Sequence, residues 1–205
     1  MRFEHPSSNS LQFTYNHPQN PSTIQTIYPE RRMTMQEHSG ATTMKGNPLT
    51  LVGPELSIGD SAPDVEVLGN DLNPVRLSSF RGKICVLSIV PSLDTPVCDI
   101  QTRRFNDEAG KLGDDVVILT ISMDLPFAQK RWCGAAGVDK VSTFSDHRDA
   151  AFGEAYGVLI KELRLLARAI FVVDKQGTVQ YRQLVKEVSE EPNYEAVIEA
   201  IKKLV

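Results

Sequence analysis

A chain of 205 residues with 41% hydrophobic content suits one domain plus an appendage and can fill a real core. Its net charge of −4 offers no basic footprint for nucleic acid, and no apolar stretch approaches the ~18–20 residues needed to span a membrane. Three cysteines (Cys85, Cys98 and Cys133) are too few for a disulfide scaffold, and the start of the chain lacks an apolar signal-peptide core. The expected compartment is a reducing cytoplasm, where a disulfide would be transient and redox-active rather than structural.

The first 39 residues contain no Ala, Val, Gly, Lys, Asp or Cys and are heavy in Ser, Thr, Asn, Gln and Pro. Such a segment has little to bury and is expected to be disordered. His5, His17 and His38 fall here at no metal-ligand spacing, so no metal site is expected. A natural start at Met33, Met35 or Met44 would make the segment an optional leader. The expected division is a disordered extension over 1–44 and a folded domain over 45–205.

Beyond it the chain alternates. Asp64–Val67 and Val75–Leu77 flank Gly69-Asn70-Asp71 and read as a short hairpin. Ile84–Val90 is a continuous apolar run suited to a buried central strand. Thr95 to about Leu112 reads as a helix ended by Gly113, and Val116–Ser122 as a second buried strand. Pro126 opens a short helix through Cys133 that stops at Gly134–Gly137. Val141–Phe144 reads as a third core strand, and Asp149–Tyr156 as a helix stopped by Gly157. Ala169–Val173 and Thr178–Leu184 flank the turn Asp174-Lys175-Gln176-Gly177 as an antiparallel pair. Pro192 opens a last helix with Tyr194, Val197, Ile198, Ile201 and Leu204 on one face. This order predicts an α/β sandwich with a mixed sheet flanked by helices.

The candidate chemistry centres on Cys98. It follows the C-terminal end of the Ile84–Val90 strand, where open α/β sheets place their sites, and it sits in the first turn of a helix. Unpartnered N–H groups there favour negative charge, and the thiolate is the reactive form of cysteine. The local pattern also permits a plain core cysteine, because Phe105, Ala109 and Leu112 share its helical face. Strand, turn and Cys at a helix start is the order of a thioredoxin-like fold. Cys-x-x-Cys is absent, however, since Thr95 and Gln101 occupy the flanking positions.

Outside the leader the only histidine is His147, so a Cys–His hydrolase has thin support. Cations are the other means of holding a thiolate. Arg103 and Arg104 lie further along the helix and read as solvated surface charges. Arg168 instead interrupts the apolar run Leu165–Val173, where a charge is usually paired or functional, although a side chain reaching solvent at the strand edge would also explain it. Cys85, inside an apolar strand, reads as buried and without catalytic role.

Pro91-x-x-x-Thr95-x-x-Cys98 matches the peroxiredoxin signature P-x-x-x-[T/S]-x-x-C. Asp94–Cys98, Gln101–Asn106, Asp124–Gln129 and Cys133–Gly137 together resemble the bacterial thiol peroxidases, which are atypical two-cysteine peroxiredoxins. The resemblance runs from about Lys45 to the C-terminus. It implies a thioredoxin-like fold, with Cys98 as the peroxidatic cysteine, Cys133 as the resolving one, and Thr95, Pro91 and Arg168 completing the site. It also implies reduction of hydrogen peroxide and organic hydroperoxides, a Cys98–Cys133 disulfide recycled by thioredoxin, a homodimer and no cofactor. Two helix-borne cysteines are not expected to meet while both helices stay intact, since a disulfide needs Cα atoms within about 7 Å. Local unwinding on oxidation is therefore expected. A redox sensor or relay with little turnover, or an inert thioredoxin-like interaction module, would share the same fold. Thr95, Arg168 and Cys133 are residues an inert module has no reason to hold together.

Overall fold

The structure, a computed structural model, describes residues 35–205. The expected disorder of residues 1–34 lies outside the described residues. The chain first forms the strands β1 (Glu37–Met44) and β2 (Asn47–Val52), an antiparallel hairpin. The expected boundary between residues 44 and 45 therefore falls in the hairpin's turn, and Glu37–Met44, assigned to the leader, is strand. Contacts remote in sequence hold it. Thr43 N–H donates to Lys186 O and Val188 N–H to Thr43 O, both at 2.8 Å. The Glu187 carboxylate accepts from Thr43 Oγ1, Lys45 N and Gly46 N. The Ser189 hydroxyl and the Gly46 N–H, with smaller contributions from Lys45 and Thr43, hold that carboxyl down at about 2.

Next come β3 (Glu66–Leu68), β4 (Pro74–Arg76) and β5 (Ile84–Ile89). They are followed by α1 (Pro96–Ala109), β6 (Val116–Ser122), α2 (Pro126–Ala136) and β7 (Ser142–Ser145). The chain then forms α3 (Ala151–Ala155), β8 (Leu159–Ile160), β9 (Leu165–Leu166), β10 (Ala169–Val173), β11 (Val179–Leu184) and α4 (Tyr194–Lys202). One sheet has seven strands in the order β11-β10-β5-β6-β7-β3-β4, the other four in the order β1-β2-β8-β9. β5, β6 and β7 run parallel, while β10 and β3 border them antiparallel, so the central sheet is mixed as expected.

Strand alternation sorts the core into two layers. Ile84 and Val86 of β5, with Ile170 and Val172 of β10, face Phe105 of α1 and Tyr194, Val197 and Ile201 of α4. Leu87 and Ile89, with Ala169 and Phe171, face Phe152 and Tyr156 and the small sheet's Leu51, Leu159 and Leu166. With both faces covered, β5 has no solvent-facing side and is apolar throughout except for the buried Ser88.

Several boundaries differ from expectation for local reasons. α1 ends at Ala109, before the expected Leu112, because Lys111 N and Leu112 N bond back three residues rather than four. α3 begins at Ala151, where Asp146 accepts Phe152 N–H at 2.9 Å and Gly153 N–H at 2.8 Å. Burial raises the Asp146 carboxyl to about 6, against the lowering effect of those two N–H groups. A folded value above the unfolded one means that protonation favours the fold. The contribution is present below about pH 4 and lost as pH rises to about 6, and it is worth roughly 3 kcal/mol. Urea unfolding of the native chain and Asp146→Asn at pH 4 and pH 7 measures it: the native chain should gain stability relative to the variant at the lower pH.

Candidate active site

β5 delivers the chain to Pro91, which is buried, and the loop 91–95 turns it into α1. Thr95 is the N-cap of α1 in extended conformation, with Pro96 and Cys98 both in the first turn. An N-cap threonine ordinarily accepts a helix N–H, but Thr95 makes no such bond. Its hydroxyl instead lies 2.8 Å from Cys98 Sγ and 2.9 Å from Ser92 O. One hydroxyl proton serves one acceptor at a time. Thr95 can thus donate to an anionic sulfur, or accept from S–H while donating to Ser92 O.

Cys98 has no exposed surface and clusters with Val90 and Leu93, and Trp132 packs against that cluster. Arg168, in the stretch between β9 and β10, is also buried, at 2% exposure. It donates through Nη2 to Cys98 Sγ at 3.3 Å, through Nη1 to Gln101 Oε1 at 2.7 Å and through Nε to Val188 O at 2.9 Å. The edge-to-solvent alternative for Arg168 is therefore excluded. None of the ion pairs among the described residues includes Arg168. A buried guanidinium without a carboxylate is costly, and this one places an ionised donor, Nη2, on the sulfur.

Two further residues support this arrangement and were not singled out from sequence. Gln101, one helical turn after Cys98, is fully buried and spans from Arg168 to Ser88 Oγ at 2.8 Å. Arginine has only donors, which fixes Gln101 Oε1 towards it. Asp124, at the end of β6, accepts Ser92 Oγ on Oδ1 and Leu93 N–H on Oδ2, both at 2.7 Å, and so anchors the loop that carries Thr95. Its position just past the C-terminal end of a parallel strand is the sequence signal that could have found it.

Cys133 lies on α2, half-buried, with Sγ 3.5 Å from Thr143 Oγ1 on β7. All three cysteines are free thiols. The structure thus gathers Thr95, Cys98 and Arg168 at one point, with Pro91 at the end of the strand that leads there. Cys133 is not bonded to Cys98, and the hydrogen-bond partner of its sulfur is Thr143. Arg103 and Arg104 do not reach Cys98: Arg103 pairs with Asp99, and Arg104 pairs with Glu195 and lies 3.9 Å from the Tyr194 ring centre. His147 is engaged with Ser145 Oγ at 2.9 Å. Cys85 is buried on β5, and burial pushes its thiol up to about 11. No group of three or more His, Cys, Asp or Glu among the described residues could hold a metal ion.

A family model described as Redoxin matches residues 57–198. A thiol peroxidase of Bacillus subtilis is 61% identical over 163 residues, covering 80% of this chain and 97% of that protein. A thiol peroxidase of Oceanobacillus iheyensis is 58% identical, covering 78% of this chain and 98% of its own. Among solved structures, a peroxiredoxin-like protein from Aquifex aeolicus matches with a TM-score of 0.76 at 44% identity, covering 82% of this chain and 99% of that one. Fold, buried thiol and comparisons define a thioredoxin-like redox protein of the Redoxin family. Within it, the chain belongs to the thiol peroxidases, which are peroxiredoxins.

Proposed function

We propose that this chain reduces hydrogen peroxide and organic hydroperoxides through Cys98 and Cys133, with thioredoxin as the source of electrons. The Cys98 thiolate attacks one peroxide oxygen; the S–O bond forms as the O–O bond breaks, leaving a sulfenic acid. The departing oxygen takes a proton and leaves as water or an alcohol. Negative charge moves from sulfur to that oxygen, so donors fixed around the sulfur (Arg168 Nη2 and the Thr95 hydroxyl) are placed to follow it. Pro91 is buried at the start of the loop that leads to Cys98 and offers no N–H to compete.

Cys133 then attacks the sulfenic sulfur. An S–S bond forms, the S–O bond breaks, and the oxygen leaves as water after protonation. A thioredoxin dithiol returns both cysteines to thiols. Local unwinding of α1 and α2 accompanies the disulfide, and amide exchange should show lower protection of both helices in the oxidised protein. The reading includes a cytoplasmic homodimer, carried by the sequence resemblance. No helix among the described residues is long and apolar enough to cross a membrane.

The observation that carries the proposal is Arg168, a buried cation without a carboxylate partner, aimed at a buried sulfur. Peroxide consumption coupled to thioredoxin, thioredoxin reductase and NADPH tests it. Steady turnover is expected from the native chain and none from Cys98→Ser. Absence of turnover in the native chain would leave a sensor or relay as the better account.

A further inference from the structure

A cluster of side chains outside the thiol site ties the helix of Cys98 to the helix of Cys133. Asp99, the residue after Cys98, accepts the Trp132 indole N–H on Oδ1 at 3.1 Å and Arg103 Nε on Oδ2 at 2.9 Å. Arg103 also donates through Nη1 to Ala136 O, in the last turn of α2, at 2.7 Å. Its guanidinium lies 5.7 Å from the Trp132 ring centre. One carboxylate and one guanidinium of α1 therefore grip α2 on both sides of Cys133.

The grip fixes which way α2 faces. Trp132 packs against the buried cluster formed by Val90, Leu93 and Cys98, in which Cys98 has no exposed surface. Successive side chains on an intact helix point about 100° apart. With Trp132 turned towards the cluster that holds Cys98, Cys133 is turned elsewhere, and its sulfur lies against Thr143. Cys133 can meet Cys98 only when this turn of α2 rotates or unwinds, and that requires the Trp132 and Arg103 contacts to break. The helix ends one turn past Cys133: Gly137 N and Val138 N both bond to Cys133 O, with Gly137 left-handed at φ 65°.

We propose that Asp99, Arg103 and Trp132 form a latch that holds the resolving helix over Cys98, and that its release sets the rate of disulfide formation. The proposal rests on the Cys98–Cys133 reading above. Asp99, Arg103 and Trp132 are positioning residues: they touch neither peroxide nor the bond that forms. The latch prolongs the sulfenic acid. While it holds, the Cys98 sulfenate can attack a second hydroperoxide; another S–O bond forms as the O–O bond breaks, giving sulfinic acid and releasing water or an alcohol. Opposite demands thus meet in one contact set, since a tighter latch shields the thiol better and raises the sulfinic yield.

Two variants and the native chain test this. Trp132→Phe keeps an aromatic ring but removes the indole donor, and Arg103→Met keeps the alkyl stem but removes the guanidinium. Each protein is mixed with hydrogen peroxide, acid-quenched, alkylated and mapped by mass spectrometry. Disulfide formation should be about three- to tenfold faster in each variant, with the sulfinic fraction at high peroxide falling correspondingly. The double variant should gain less than the product of the single gains, because both act through Asp99. In the native chain, the emission of Trp132, the only tryptophan, should change before or together with disulfide formation. Unchanged or slower disulfide formation in both variants overturns the latch, as does a disulfide that forms before Trp132 emission moves. If the native chain forms no Cys98–Cys133 disulfide, the underlying reading fails and the latch falls with it.

Discussion

Replacing Arg168 by methionine is expected to slow the reaction of Cys98 with hydrogen peroxide by about 10²–10³-fold, the usual cost of deleting a preorganised donor at a site of developing charge. The reason is geometric. Val188 O and Gln101 Oε1 hold two corners of the guanidinium, so the third, Nη2, remains on Cys98 Sγ without a search. Burial removes the water that would otherwise weaken the interaction. Arg168→Lys keeps the charge but loses the planar fork that reaches three acceptors, so it should recover only part of the rate. Both variants leave buried acceptors unpaired, at ~1–3 kcal/mol each, and melting temperatures should fall. The rate is therefore read on folded protein, by competition for peroxide with a reference thiol enzyme. An unchanged rate in folded Arg168→Met would contradict the assignment.

Replacing Cys133 by serine is expected to abolish steady turnover while leaving the first reaction with peroxide in place. The variant should consume one peroxide per chain and then stop, with Cys98 held as sulfenic acid. A serine hydroxyl cannot provide the second sulfur, and thioredoxin needs a disulfide to attack. With further peroxide, Cys98 should pass to sulfinic acid, a state that an ordinary dithiol does not reverse. Peroxide consumption in single-turnover and steady-state modes, followed by intact-mass measurement, reads all three results. Full turnover in the variant would show that Cys133 is not the resolving residue.

Much of this architecture is legible in the residues themselves. β6 and β10 occur at the expected residues, because strands covered on both faces register as continuous apolar runs. β1 escapes such a reading. Gly40 and polar Thr42 and Thr43 conceal it, and its stability comes from pairing with β2 and from residues 185–188, far away in the chain. Arg168 stands out as a charge within an apolar run, yet its partners Gln101 and Val188 are set by the fold and have no local signature. Cys98 is the instructive case. A core thiol and a nucleophile were rival readings, and the structure joins their features in one residue, packed with Val90 and Leu93 and bonded to Thr95 and Arg168.

The central claim is that peroxide oxidises Cys98 and that Cys133 captures the product. It is tested most directly by adding one equivalent of hydrogen peroxide, alkylating the remaining thiols under native and then denaturing conditions, and mapping the peptides. The account predicts a single disulfide joining Cys98 to Cys133, with Cys85 recovered as a thiol that alkylates only after unfolding, as its burial in β5 requires. Peroxide consumption with Cys98 recovered as a free thiol, or a disulfide that includes Cys85, would contradict it.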